Sequence, residues 1–251
     1  MGLPKLKRYD KKFNFSYTYG TYPTLDLLKL KQEKVLEVII NPNGEENSIV
    51  EEIKHICEQK NIPMIVSRSI IEKLAPKENT YVMGVFEKYQ SSLELGDNHL
   101  VLVNPSNLGN LGTILRSMSG FDMRNLALIS PAADIFDPKV ARSSMGSIFL
   151  VNFEYFTSAD EYISKYKENT VYSFFLDGEF DLRETKFQSP YSRIFGNEGS
   201  GLPDSIKSNS QTVKISHSNK VDSLNLSVSV GITLYETSRQ SLESHAFRSR
   251  S

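Results

Sequence analysis

Three short segments of this 251-residue chain combine glycine, asparagine and serine with a single charged residue. They are Asn110-Leu111-Gly112-Thr113-Ile114-Leu115-Arg116, Gly196-Asn197-Glu198-Gly199-Ser200-Gly201-Leu202, and Ser223-Leu224-Asn225-Leu226-Ser227. Glycine permits positive φ and close approach of the main chain, so such loops can offer bare N–H and C=O groups to an adenine or a ribose. In any one loop glycine also serves simply to make a tight turn. Three loops of the same form point to one composite site, with Arg116 and Glu198 as its charged members. A guanidinium stays protonated, so Arg116 suits clamping and electrostatic positioning of a reacting group better than removing a proton.

Each loop needs a strand before it and a helix behind it. The apolar run 100–103 precedes the first loop, and a helix from about 111 to 120 follows. A strand over 193–196 leads to the second loop. Another over 212–215 leads to the third, which opens a helix over 224–240. Further strands are expected over 126–129, 148–155 and 171–176, with helices near 138–144, 159–167 and 203–208. This alternation predicts an α/β fold with a largely parallel sheet covered on both faces, whose ligands bind beyond the carboxyl ends of the strands. Upstream, helix 24–31, strand 35–40, helix 49–60, strand 64–66, helix 69–74 and strand 81–87 form a smaller α/β unit, and the polar stretch 88–98 reads as a linker. The expected organisation is a basic and aromatic arm over 1–20, a small domain over 21–90, a main domain over 98–240 and a polar tail over 241–251. Within the arm, Lys5, Lys7, Arg8, Lys11 and Lys12 against Asp10 give a local charge of +4, suited to phosphates or to a solvated terminus.

Composition excludes several classes. Hydrophobic content of 39% is ordinary for a globular protein, and a net charge of −1 means that nucleic-acid binding has to rest on a local patch. Cys57 is the single cysteine, so neither an internal disulfide nor a multi-cysteine zinc site is expected, and it reads as core packing in a reducing cytoplasm. No apolar run reaches transmembrane length and no signal peptide is evident. The second loop reverses the glycine spacing of a dinucleotide-binding fingerprint and comes late in the chain, and no Gly-Lys-Ser/Thr phosphate loop exists. His55, His99, His217 and His245 are scattered without metal-ligand spacing, so no metal is expected.

In their order, Asn110-x-Gly112-x-x-x-Arg116, Gly196-Asn197-Glu198-Gly199-x-Gly201-Leu202 and Ser223-Leu224-Asn225-Leu226-Ser227 resemble the three motifs of the SpoU/TrmH family of RNA ribose 2′-O-methyltransferases. The similarity spans about 98–240. The unit before it resembles the small substrate-binding domain of ribosomal-protein L30e/L7Ae type. The resemblance implies a SPOUT fold, a parallel α/β sheet whose C-terminal segment forms a deep trefoil knot, and S-adenosyl-L-methionine as cofactor. By motif match the cofactor lies against Gly196, Ile215 and Leu224. The catalytic set carried over is Arg116, Asn110, Glu198, Ser223 and Asn225. Asn110 and Asn225 shape the loops, Glu198 fixes Arg116 or a backbone turn, and Ser223 contacts the hydroxyl or the cofactor rim. Bland roles stand beside these: a surface position for Arg116, helix capping for Glu198 and Ser223. Asn225, read inside a helical turn, is poorly explained by propensity. Only Asn110-Leu111-Gly112 has the family spacing to Arg116, so Asn107-Leu108-Gly109 is an out-of-register copy. Asn104-Pro105 stands three residues upstream of where members carry Asp-Pro.

Similar enzymes are homodimers in which the motif-one arginine faces the partner's cofactor. The expected substrate is tRNA or rRNA, met by the basic arm, Tyr17, Tyr19, Tyr22, Lys139 and Arg142. The alternative is a non-catalytic RNA-binding or assembly protein that keeps the same fold. Intact Arg116, Glu198 and Asn225 speak for the enzyme.

Overall fold

The computed structural model describes residues 6–44, 47–75 and 80–248, with the side chains of the last helix described through 240. Two compact units emerge: Met1–Tyr89 with Asp134–Leu150, and Gln90–Ala133 with Val151–Ser251. The segment Asp134–Leu150, read from sequence as part of the main domain, therefore packs with the N-terminal unit.

In that unit, strands β1 (Phe15–Tyr19), β2 (Val35–Ile40), β3 (Met64–Val66) and β4 (Val82–Glu87) pair in the order β1-β4-β2-β3, with only β2 and β3 parallel. Alternation sorts β2 onto two faces. Val38 and Ile40 pack with helices α1 (Thr21–Leu30) and α2 (Ser48–Lys60), while Ile39 packs with Ile71 and Leu74 of α3 (Arg68–Leu74). Cys57 is buried in the first of these clusters, and burial, with a smaller push from Glu58, raises its thiol pKa to about 11.

The expected arm needs correction. Lys5 and its predecessors lie outside the described residues, but Phe15, Tyr17 and Tyr19 form β1 and are buried. The alternating aromatics that suggested a nucleic-acid arm are the inward face of an edge strand. Tyr17, fully buried, donates its hydroxyl to the Lys7 carbonyl at 2.6 Å, so neither it nor Tyr19 is available to stack on a base. Tyr22 remains exposed, as does Lys139 on α5 (Pro138–Ser143), with Arg142 half-buried.

The second unit holds seven parallel strands in the order β7-β6-β5-β10-β8-β11-β9. Their ranges are β5 (His99–Val103), β6 (Asn125–Ile129), β7 (Asn152–Phe156), β8 (Thr170–Phe174), β9 (Phe180–Asp181), β10 (Tyr191–Phe195) and β11 (Gln211–Lys214). β5, β6 and β10 are buried throughout, as expected of strands covered on both faces. On one face Val101, Val103, Ala127, Ile129 and Ile194 meet Tyr162 of α6 (Ala159–Lys165) and Tyr166. Helices α4 (Leu108–Gly120) and α7 (Leu226–Arg248) pack on each other.

Four expectations differ in detail. The segment at 203–208 is a 3-10 turn over Asp204–Asn209, and the strand expected over 148–155 splits into a 3-10 turn and β7. The 88–98 stretch carries the buried Leu93, whose carbonyl accepts from Tyr166. In place of a separate tail over 241–251, helix α7 continues to Arg248, and 249–251 lie outside the described residues.

Candidate functional site

All three loops open at the carboxyl ends of β5, β10 and β11, and one carboxylate ties the first two together. Asn107 caps α4: its Oδ1 accepts from the amides of Gly109 and Asn110 at 2.9 and 3.0 Å. The residue set aside as an out-of-register copy thus starts the helix. Glu198 accepts from further donors of this turn, the Ser106 amide and hydroxyl at 3.3 and 3.1 Å and the Asn107 amide at 3.2 Å. An anion at a helix N-terminus is favourably placed. Burial alone would raise the Glu198 pKa. Hydrogen bonds from its own backbone, from Asn110 and from the Ser106 and Asn107 amides outweigh that and hold it below the usual carboxylate range.

The third loop joins through side chains. Asn110 Nδ2 donates to Glu198 Oε1 at 3.2 Å, and Asn225 Nδ2 donates to Asn110 Oδ1 at 3.2 Å. Asn225 also precedes α7, accepting from the Ser227 amide at 2.9 Å and hydroxyl at 2.7 Å. It is therefore a helix-capping residue outside the helix, which corrects both the helical placement of Asn225 and the capping role considered for Ser223. Asn225, Asn110 and Glu198 form one hydrogen-bonded chain across the three loops.

Beside this chain lies a cavity of about 480 Å³, lined by Gly196, Glu198, Ile215, Ser223, Leu224 and Asn225. Of the residues expected from sequence, these six are brought together. Gly196 has no room for a side chain: a Cβ there would stand 2.2 Å from the Gly201 carbonyl carbon, so the loop closes on itself only with glycine. Asn197 and Gly201 exchange backbone bonds of 3.1 and 3.0 Å across that closure.

Arg116 is not in this group. It is exposed on α4 and outside the cavity lining, so Glu198 does not fix it within one chain. Sequence reading also passed over Phe174 and Phe195, stacked at 4.2 Å and 7°, and His217, all of which line the cavity. The His217 Nδ1–H donates to the Ile215 carbonyl at 2.8 Å, leaving Nε2 as an acceptor in the neutral ring. Its place two residues beyond the strand expected over 212–215 was the available signal. Among the described residues no group of three or more His, Cys, Asp or Glu could hold a metal, and no helix is long and apolar enough to cross a membrane.

Comparison with known proteins adds a name to this geometry. A family model described as the SpoU rRNA Methylase family matches residues 97–235. An uncharacterized tRNA/rRNA methyltransferase from Archaeoglobus fulgidus is 30% identical over 217 residues, 83% of this chain and 95% of its own length. One from Synechocystis sp. is 34% identical over 56% of the chain. The 23S rRNA (uridine(2479)-2′-O)-methyltransferase of Streptomyces viridochromogenes is 29% identical over 54% of it. The match spans about half the length of these last two, 53% and 50%. The SpoU methyltransferase AviRb of Streptomyces viridochromogenes, solved with AdoMet, superposes with a TM-score of 0.79 at 21% identity, covering 92% of each chain.

Proposed function

Because this chain belongs to the SpoU rRNA Methylase family, we propose that it methylates a ribose 2′-hydroxyl of tRNA or rRNA with S-adenosyl-L-methionine as donor. The observation that carries this reading is the cavity built by the three glycine- and asparagine-rich loops and braced by Glu198. Its volume suits a nucleoside-sized cofactor. Gly196, Gly199 and Gly201 are among its lining residues and carry no side chain to cover the main-chain groups that recognition of an adenine edge requires. Gly196, Ile215 and Leu224 would hold the cofactor in a cavity that Phe174 and Phe195 also line. When bound, the cofactor supplies an electrophilic methyl on a sulfonium.

The chain's own residues then have to align the ribose hydroxyl and ease loss of its proton. Arg116 is the residue proposed to do so, by clamping an RNA phosphate beside the attacking hydroxyl. Glu198, Asn110 and Asn225 are positioning residues that hold the loops, and Ser223 faces the cofactor rim or the hydroxyl. Since Arg116 is exposed and apart from the cavity of its own chain, it is assigned to the cavity of a partner in a homodimer. An apolar stripe on α7 supports that assembly: Val228, Ile232 and Tyr235 recur at helical spacing and are exposed, Tyr235 by 61%, with the exposed Phe121 ring 6.4 Å from that of Tyr235. The trefoil knot, the L30e/L7Ae likeness of the first unit, the RNA-facing role of Tyr22, Lys139 and Arg142, and a cytoplasmic location belong to the same proposal.

The test is transfer of a tritiated methyl group to total tRNA and to rRNA. Incorporation that Arg116→Ala abolishes, with cofactor affinity kept within a few-fold, is the expected result. Cofactor binding without incorporation into any RNA would favour the non-catalytic alternative, against which Arg116, Glu198 and Asn225 stand intact.

A further inference from the structure

A second cavity, of about 430 Å³, shares Asn197 and Ser200 with the first. Its other walls are the segments that follow β5 and β6, Asn104 to Ser106 and Pro131 to Ala133. These walls are already braced. Asn197 Nδ2 donates to the Asn104 carbonyl at 2.7 Å, the Ala133 amide donates to the Pro105 carbonyl at 2.8 Å, and the Tyr155 hydroxyl donates to the Ala133 carbonyl at 3.1 Å. Most polar side-chain atoms are spent as well. Asn197 Oδ1 accepts from the Gly199 and Ser200 amides, and Ser106 Oγ donates to Glu198.

Asn104 is different. Its φ of 53° lies in the left-handed region, which asparagine tolerates better than other side chains. Its half-buried carboxamide makes no hydrogen bond with any described residue. An anion is a poor occupant, because among the described residues no cationic side chain lines the cavity and the Ser106, Asn107, Gly109 and Asn110 amides are taken by Glu198 and Asn107. Proline and alanine walls with one uncommitted carboxamide, which offers a donor and an acceptor on one plane, match the faces and the edge of an unpaired nucleobase. Adjacency to the cofactor cavity says which base: the one whose ribose receives the methyl group.

Resting on the methyl-transfer reading above, we propose that this second cavity takes the base of the acceptor nucleotide and that the Asn104 carboxamide reads its edge. The Asn104-Pro105 pair upstream of the first motif thereby acquires a role in specificity.

The experiment uses the full chain, isotopically labelled and saturated with S-adenosylhomocysteine so that the first cavity is filled, titrated with each of the four nucleoside 5′-monophosphates and followed by amide chemical shifts. At least one nucleotide is expected to shift Asn104, Ser106, Ala132, Ala133 and Ser200. Asn104→Gly, which keeps the backbone conformation and the carbonyl bond to Asn197, should weaken that titration about tenfold. Its S-adenosylhomocysteine affinity should stay within about twofold. Asn104→Asp, which replaces the amide donor by an acceptor, should change the order of preference among the four. No shift at these residues with any nucleotide, or titrations in Asn104→Gly equal to wild type, would overturn the proposal. Failure of the methyl-transfer reading shows up separately, as bound nucleotide without transfer to any RNA.

Discussion

Removing the Glu198 carboxylate is expected to loosen two loops at once. In Glu198→Ala, four donors lose their acceptor, the Ser106 amide and hydroxyl, the Asn107 amide and Asn110 Nδ2, at 3.1 to 3.3 Å, while Asn197 Nδ2 keeps the Asn104 carbonyl at 2.7 Å. A hydrogen bond to a charged group is worth about 1.5–3 kcal/mol where the freed donor stays dry. These bonds are at the long end of the range and the site is partly open, so water recovers most of that. The net loss is set at about 2 kcal/mol, which for a chain of this size lowers Tm by about 4–8 °C. Cofactor affinity should fall about tenfold or more, because Glu198 and the Asn110–Asn225 chain shape the cavity wall. Glu198→Gln should be nearly as damaging, since either amide orientation turns its NH2 toward donors. Calorimetric melting and isothermal titration with S-adenosylmethionine check both quantities. The pH dependence has a fixed sign: the folded carboxyl pKa is lowered, so its contribution is complete above the unfolded value of about 4.3 and is lost as pH falls through the folded value. The Glu198 contribution to affinity should thus be flat from neutral pH to about 5. An Ala variant with wild-type affinity and a Tm within about 1 °C would refute the bracing role.

Other perturbations follow from neighbouring observations. Arg193 on β10 is fully buried, with Nη1 on Thr237 Oγ1 at 2.7 Å but Nε and Nη2 without a hydrogen-bond partner among the described residues, and burial lowers its pKa. Arg193→Met should therefore stabilise the fold, by about 1 kcal/mol or more in urea unfolding; a comparable loss would show that the guanidinium is needed. His99 is buried, and because Nε2–H can only donate to the Glu94 carbonyl, Nδ1 accepts from Tyr162, which in turn accepts from Ser192. Burial lowers its pKa, so the unfolded chain takes the proton first and stability should decline as pH drops below about 6.5, a slope that His99→Gln should flatten. On α7, Ile232→Glu should convert the proposed dimer to a folded monomer in sedimentation, with a melting temperature that no longer depends on protein concentration; an unchanged dimer would remove this face from the interface.

The composite site was legible because its loops are glycine- and asparagine-rich islands behind apolar runs, and six residues read from the motifs do line one cavity. What sequence hid is mostly a matter of which neighbour a residue meets. Phe15, Tyr17 and Tyr19 alternate as a strand does, but the basic residues before them made the segment look like a solvated arm until pairing with β4 buried it. Asn225 was read as a motif position and Asn107 as an out-of-register copy of one, but the local meaning of both, helix capping, depends on where α4 and α7 begin. Phe174, Phe195 and His217 come from three strand ends that only the order β10-β8-β11 brings side by side. The separation of Arg116 from Glu198 is equally a fact of the folded chain, since motif spacing fixes helix position and not which cavity the side chain serves.

Digestion of treated RNA to nucleosides, followed by mass spectrometry that separates ribose-methylated from base-methylated products, is the most direct test of the proposed chemistry. With S-adenosylmethionine and wild-type protein, the label should appear in a 2′-O-methylnucleoside, and Arg116→Ala should leave that product at background. Label on a base, or an Arg116→Ala variant that still forms the 2′-O-methyl product, would contradict it.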